Sequence, residues 1–259
     1  MPFATLLQKA YGDYRAETVE PTLKSICQGL KAQVKVKGST PQGWIQVEVS
    51  GEDEAVALQL LSNEFGLAPK DAASIEKFSV LRGRIVDSRR ATDGLLVDVG
   101  VFQPKVAYAQ IPLKNLQAQL ADGQNLPLQR LTQLFCLHDY MPLYVKIVDA
   151  DFNAQNGAFL AELSEHQLAI FNDWLHSMLD RLVIVGATQR DVKRAVDASK
   201  HFRDVVRIES LGWLEHSLVC KLGTDAVGLI PAIGRMLRTT TLASFSPRKI
   251  KEIISRPAL

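Results

Sequence analysis

At 259 residues, 47% hydrophobic and 22% charged, the chain has the composition of a folded protein of about two domains and not of a disordered one. No apolar run approaches the roughly 20 residues that span a bilayer, and the start, MPFATLLQKAYGDY, lacks a basic leader with a long apolar segment, so no signal peptide and no membrane partner are expected. The net charge of +2 is uneven: residues 1–77 hold 8 Lys+Arg against 10 Asp+Glu, residues 78–180 hold 8 against 11, and residues 181–259 hold 14 against 7.

The first segment alternates strands and helices. Ala4–Gln8 reads as a strand. Pro21 suits the first turn of a helix whose apolar stripe is Leu23, Ile26, Cys27 and Leu30. Gln33–Lys37 and Trp44–Val49 form a hairpin, with alternation at Ile45, Val47 and Val49. A helix follows at about 53–65, with Val56, Leu60 and Phe65 among its apolar residues. The order is β-α-β-β-α.

The middle differs in kind. LRGRIVDS, LLVDVG and Lys105–Ile111 read as strands, followed by two short helices and then strands at Leu143–Asp149 and Ala158–Leu163, the last two joined by an Asn156-Gly157 turn. Alternation turns Leu81 and Ile85 one way and Arg82 and Arg84 the other. Three strands, a helical connection and two strands is the order of an OB barrel. A helix from Glu165 to about Leu179 then carries Leu168, Phe171, Leu175 and Leu179.

The last segment repeats the first: a strand at Leu182–Val185, a helix opened by a Thr188–Asp191 capping box, a pair of strands turning near Gly212, and a final helix. Val192, Ala195, Val196 and Ser199 share one face of the first of these helices. Setting residues 51–65 under 223–237 matches Gly51 with Gly223, Asp53 with Asp225 and Leu61 with Ile233, which raises internal duplication as a hypothesis. Thr224 is the expected N-cap of the last helix, and Pro231 is expected to kink it or force a fresh start near Ile230. The tail FSPRKIKEIISRPAL reads as a short helix or a flexible arm.

The stretch GLLVDVG…KVAYAQIPLKNL…YVKIVDAD…GAFLAELSE resembles the RNA-binding OB domain repeated in the largest protein of the bacterial small ribosomal subunit and found in polynucleotide phosphorylase. The likeness covers about residues 80–163. It departs at Ala107, where a glycine is usual, in lacking a His-Ile-Ser turn, and in an insertion over 123–141. The whole chain, through HFRDVVRIESLGWLEHSLVCKLGTDAVGLIPAIGR, resembles an uncharacterised archaeal protein family with this barrel inside it. That resemblance implies a cytoplasmic protein and no particular activity.

Candidate chemistry is sparse. Gly223 and Gly228 have the spacing of a nucleotide P-loop, but Leu229-Ile230 stand where Lys-Ser/Thr would meet phosphate and magnesium. The five histidines have no HExxH or paired-cysteine context. Cys27, Cys136 and Cys220 are far apart with no CxxC, the pattern of reduced thiols in a cytoplasm. Aromatic and cationic side chains are the richer signal, because aromatics stack on bases and Arg or Lys neutralise phosphates. On the barrel these are Arg82, Arg84, Arg89, Arg90, Phe102, Tyr108, Tyr144 and Lys146; in the last segment they are Arg190, Lys193, Arg194, Arg235 and Arg238.

The expected fold is therefore α+β, a central five-stranded OB-type β-barrel flanked by two β-α-β-β-α segments. The expected boundaries are 1–77, a barrel over 78–164 with a helical insertion, a connecting helix over 165–180, and a basic segment over 181–259. The expected function is non-enzymatic binding of RNA or single-stranded nucleic acid by a composite of the barrel face and the basic segment, without a cofactor. The alternative is a protein-interaction adapter in the transcription or translation machinery.

Overall fold

The computed structural model describes residues 3–102, 105–153 and 158–255; the Asn156-Gly157 turn and the last four residues of the tail lie outside them. The chain divides into two compact units, Met1–Ile75 with Val99–Ala107, and Glu76–Asp98 with Tyr108–Leu259.

The first unit runs β1 (Phe3–Lys9), a short 3-10 turn at Ala16–Val19, α1 (Glu20–Ile26), β2 (Ala32–Ser39), β3 (Trp44–Gly51) and α2 (Glu54–Phe65). Its antiparallel sheet has the order β1-β3-β2. Ile45, Val47 and Val49 are buried, as a period of two requires of a strand with one covered face. In α2 the buried stripe is Ala57, Leu61 and Phe65, spaced by four, while Val56 and Leu60 are exposed. Of the apolar residues noted in the sequence, Phe65 lies on the stripe, while Val56 and Leu60 each precede it by one residue, about 100° of helix rotation. Beyond α2, Leu7 N–H donates to the Gly66 carbonyl (3.0 Å), Ala68 N–H donates to that of Thr5 (2.9 Å), and Leu67 bridges Leu6. These residues occupy the outer edge of β1 as a stub of a fourth strand.

The strands β4 (Val80–Val86), β5 (Gly94–Val101), β6 (Ala107–Pro112), β7 (Pro142–Asn153) and β8 (Ala158–Leu163), which apart from Val99–Val101 and Ala107 belong to the second unit, make a closed barrel in the order β4-β5-β6-β8-β7. Here β4 is antiparallel to β5 and β7, and β6 is parallel to β8. The helices α3 (Leu113–Leu120) and α4 (Leu128–Leu134) connect β6 to β7. Ile85, Val97, Ile111, Val145 and Ile147 fill the interior. Gly83 lets β4 and β5 approach, since a Cβ there would stand 2.5 Å from the Asp98 carbonyl oxygen. The next helix, α5 (Glu165–Ser177), is capped by the Ser164 hydroxyl, which accepts from Gln167 N–H at 3.2 Å.

The chain then runs β9 (Arg181–Val185), α6 (Gln189–Ala198), β10 (Val205–Ser210), β11 (Glu215–Cys220), α7 (Ala226–Gly234), β12 (Thr241–Phe245) and α8 (Pro247–Ile254). The sheet order is β10-β11-β9-β12, antiparallel throughout. Strand β12 completes a β-α-β-β-α-β unit and was not read from sequence; TLASF is short and has little apolar alternation to betray it. Thr188 caps α6 as expected, its hydroxyl accepting from Asp191 N–H. The cap of α7 is Asp225 rather than Thr224, accepting from Val227 N–H at 2.9 Å, and α7 runs through Pro231 without restarting. The tail beyond β12 is helical over α8.

Both faces of this sheet are covered. On one face Leu182, Ile184, Leu218 and Cys220 pack under Val192, Ala195, Val196, Leu229 and Ile233 of α6 and α7. On the other, the Phe245 ring meets those of Phe135 (6.0 Å) and Trp174 (5.1 Å), and the Arg181 guanidinium lies 4.8 Å from the Trp174 ring. That is why all five residues of β9 are buried and show no alternation.

His216 pairs with Ile184 across the strands and is 1% exposed. Among the described residues neither ring nitrogen has a partner in bonding geometry, and burial lowers its pKa to about 4, with the backbone at Ala187 and Trp213 countering part of the effect. The neutral ring is the folded form, so its contribution to stability is complete above the unfolded pKa of about 6.5 and is lost as pH falls toward 4. Denaturant titrations from pH 7 to pH 4 are expected to show a decline, about 3 kcal/mol of it from this group, that His216→Gln flattens.

Candidate functional site

The alternation in β4 is as the sequence predicts, with Arg82 and Arg84 on the outward side, but that side is occupied at Arg84. Arg84 is 1% exposed, and its Nη1 lies 2.6 Å from Oε2 of Glu215, which is equally buried, and 3.4 Å from the Tyr140 carbonyl oxygen. Arg82 is half-buried, and its Nη2 donates to the Leu211 carbonyl at 2.7 Å. Both arginines therefore grip the turn between β10 and β11. Gly212, inside that turn, has no room for a side chain: a Cβ would sit 2.0 Å from Glu215 Oε2 and 2.8 Å from Arg84 Nη2. The expectation of Arg84 as a nucleic-acid contact is corrected, because a buried charge committed to a carboxylate cannot also meet solvent-borne phosphate.

The remaining barrel candidates are scattered in environment. Arg89 and Arg90 are exposed in the turn after β4, where Arg90 N–H donates to the Asp87 carbonyl. Tyr144 is half-buried, edge-on to the His166 ring at 4.6 Å and 5.6 Å from the Arg82 guanidinium. Lys146 Nζ lies 3.4 Å from a Glu165 carboxylate oxygen and 3.6 Å from one of Glu162. Tyr108 points outward from β6, half-buried, and its phenol pKa is raised by burial and by the nearby charges of Asp98 and Asp87. An acidic setting is a poor one for phosphate. Phe102 belongs to the first unit and is half-buried.

The basic residues of the last segment are disposed differently. Arg190, Lys193 and Arg194 on α6 and Arg235 and Arg238 just after α7 are all exposed. Helix α6 leaves the end of β9 and packs toward β10, while α7 returns over β9 toward β12, so the two run antiparallel. The start of α6 and the end of α7 thus share one end of the helical layer, the end that also carries the β10–β11 turn. Arg194 has a distant ion pair with Asp191 (3.9 Å); among the described residues the other four have no carboxylate within 4.0 Å. Arg190 also lies in the first turn of α6, where the helix dipole opposes a cation.

No cluster of His, Cys, Asp and Glu able to hold a metal ion occurs among the described residues. No helix among them is long and apolar enough to cross a membrane. The three cysteines are buried, and burial pushes the Cys136 thiol up to about 12 and the Cys220 thiol up to about 11, so both are held as unreactive thiols.

Fold and charge together define a mixed α+β protein that combines two small sheets, each with covering helices, and a five-stranded barrel. Residues 4–71 match the model of the DUF2110 N-terminal domain and residues 179–244 that of the DUF2110 C-terminal domain, and the chain belongs to the DUF2110 family. The barrel lies between the two matched segments in the sequence. No curated protein matches the chain.

Sequence reasoning passed over Glu215, which has no local signal, and read Gly212 only as a turn; the fold brings both to Arg84. It also passed over Phe78, although extending the β4 alternation backward from Arg84 through Arg82 and Val80 reaches it. Because the ion pair is enclosed, Arg84→Ala leaves a buried carboxylate and is expected to cost about 3–5 kcal/mol in denaturant unfolding. The combined Arg84→Met, Glu215→Leu variant is expected to cost much less than Arg84→Ala alone.

Proposed function

We propose that the protein is a non-enzymatic RNA-binding protein whose phosphate contacts are made by the helical layer of its C-terminal β-α-β-β-α-β segment. The observation that carries this reading is the group Arg190, Lys193, Arg194, Arg235 and Arg238, exposed at one end of that layer with a single weak ion pair among them. A cation in the first turn of α6 does not serve the helix, and residues that break a local rule are the ones to read functionally. The barrel supports the same reading as an OB fold. In its own numbering the strands follow 1-2-3-5-4, closed by the antiparallel pairing of the first and fourth, with the third and fifth parallel and helices between the third and fourth. The composite surface is narrower than the sequence suggests, since Arg84 belongs to the interior and the remaining barrel contribution comes from other residues. Internal duplication is supported by the β1-β3-β2 order of the first unit, which repeats β9-β11-β10, and by the stub of a fourth strand beside β1 where β12 lies beside β9.

The second reading, a protein-interaction adapter, is favoured by Phe202, Val206 and Leu222, exposed around the start of β10 and the end of β11. Partners retained after nuclease treatment support it, and partners that dissociate on nuclease treatment support RNA binding.

Titration of single-stranded RNA at a series of salt concentrations tests the main reading. Affinity is expected to fall steeply with salt. Replacing Arg190, Lys193 and Arg194 by Ala is expected to lower the slope of log K against log salt by about 0.7 for each phosphate that is no longer neutralised. An unchanged slope removes this surface from the site.

A further inference from the structure

Phe78, just ahead of β4 in the second unit, is anomalous in two independent respects. It is a large aromatic left 62% exposed. It also has a φ of 69°, a left-handed conformation that costs a bulky side chain roughly 1–2 kcal/mol and that glycine adopts freely. The backbone holds it there. Phe78 N–H donates to the Ile147 carbonyl (2.8 Å), Ile147 N–H donates to that of Ser79 (3.0 Å), and Ser79 N–H closes the turn onto Glu76 (3.1 Å). An exposed aromatic on a strained, tightly fastened turn does nothing for the core, and strain of this kind gathers at functional positions.

Its surroundings are cationic. The ammonium of Lys77 stands 5.3 Å from the centre of the Phe78 ring and that of Lys146 stands 5.8 Å away. The register places Val80 opposite Lys146 and Arg82 opposite Tyr144, so the barrel wall continues from Phe78 into a second aromatic–guanidinium pair. A ring left largely exposed, with two ammonium groups close over it, matches a flat base joined to a phosphate. The carboxylates in place now are Glu162 and Glu165 on Lys146. The Glu165 side chain is 91% exposed, so it is held by little and is easily displaced by a phosphate oxygen.

We infer that Phe78 is a stacking platform for an unpaired RNA base, with Lys77 and Lys146 meeting the adjoining phosphates. This deepens the RNA-binding reading and rests on it. A base on Phe78 takes the place in that reading that sequence assigned to Phe102 and Tyr108.

The test is fluorescence anisotropy of a labelled oligouridylate with the full chain at fixed low salt, with thermal melting of each variant alongside. Phe78→Gly relaxes the turn, so its melting temperature is expected to match or exceed that of the parent while RNA affinity drops by about 5- to 150-fold. Phe78→Leu keeps the apolar bulk but not the π-face and is expected to lose affinity similarly; Phe78→Trp is expected to retain it. Glu165→Gln, which removes one of the two carboxylates on Lys146, is expected to bind roughly two- to fivefold tighter. Parental affinity in Phe78→Gly, or in Phe78→Leu, overturns the stacking site. If the parent binds RNA with a salt slope that depends on Arg190, Lys193 and Arg194, that failure is confined to Phe78; if the parent binds no RNA, the wider reading fails with it.

Discussion

The enclosed contact between Arg84 and Glu215 decides how the second unit is built. Two charges removed from water are costly unless each meets its opposite at short range with its other hydrogen-bonding groups engaged. The unit answers that demand in part, with a 2.6 Å ion pair, the Tyr140 carbonyl nearby, and a glycine at position 212 that keeps the space clear. Two residues away Arg82 binds the same turn through Leu211. One barrel strand thus takes hold of one hairpin of the C-terminal sheet, and that strand and hairpin fall within a single compact unit.

That arrangement dictates which surfaces remain for other work. In RNA-recognition motifs, four-stranded sheets with helices on one side, the opposite side is the platform on which bases stack. Here Phe135, Phe171 and Trp174 fill that side through an aromatic stack with Phe245, and Arg181 is sealed in beside them, paired with Glu209. The positive charge of the last third is carried instead by the outer face of the helices. The first unit, with the same order of three strands, leaves Gln33, Lys35 and Lys37 exposed along β2, and its Lys37 pairs with Glu48. Similar topology therefore serves two different distributions of burial.

Periodicity made most of the architecture legible. The hairpin at Ile45, Val47 and Val49, the face of α6 at Val192, Ala195 and Val196, and the limits of β8 all follow from apolar spacing, because burial of one face imposes a local repeat. What escaped is what no local repeat encodes. Alternation tells that Arg82 and Arg84 face outward but not that a turn some 130 residues later lies over them. The spread of apolar residues in α2 left its phase open, and the structure fixes it with Ala57, Leu61 and Phe65 inward. Strand β12 is too short to announce itself, and its pairing with β9 is a property of the sheet. The candidate site was legible as composition, a surplus of Arg and Lys after residue 180, while its division into committed and exposed charges required coordinates.

The sheet order leaves β10 as an outer strand, paired with β11 on one side. Such a margin is a ready template on which identical chains pile up, unless it is spoiled. Strand β10 is spoiled twice: its pairing with β11 slips between Val205 and Arg207, and Arg207 and Glu209 set charges along it. A neighbouring copy would meet a bent, charged rim in place of a straight one, so the module resists stacking into fibrils without a further element to shield it.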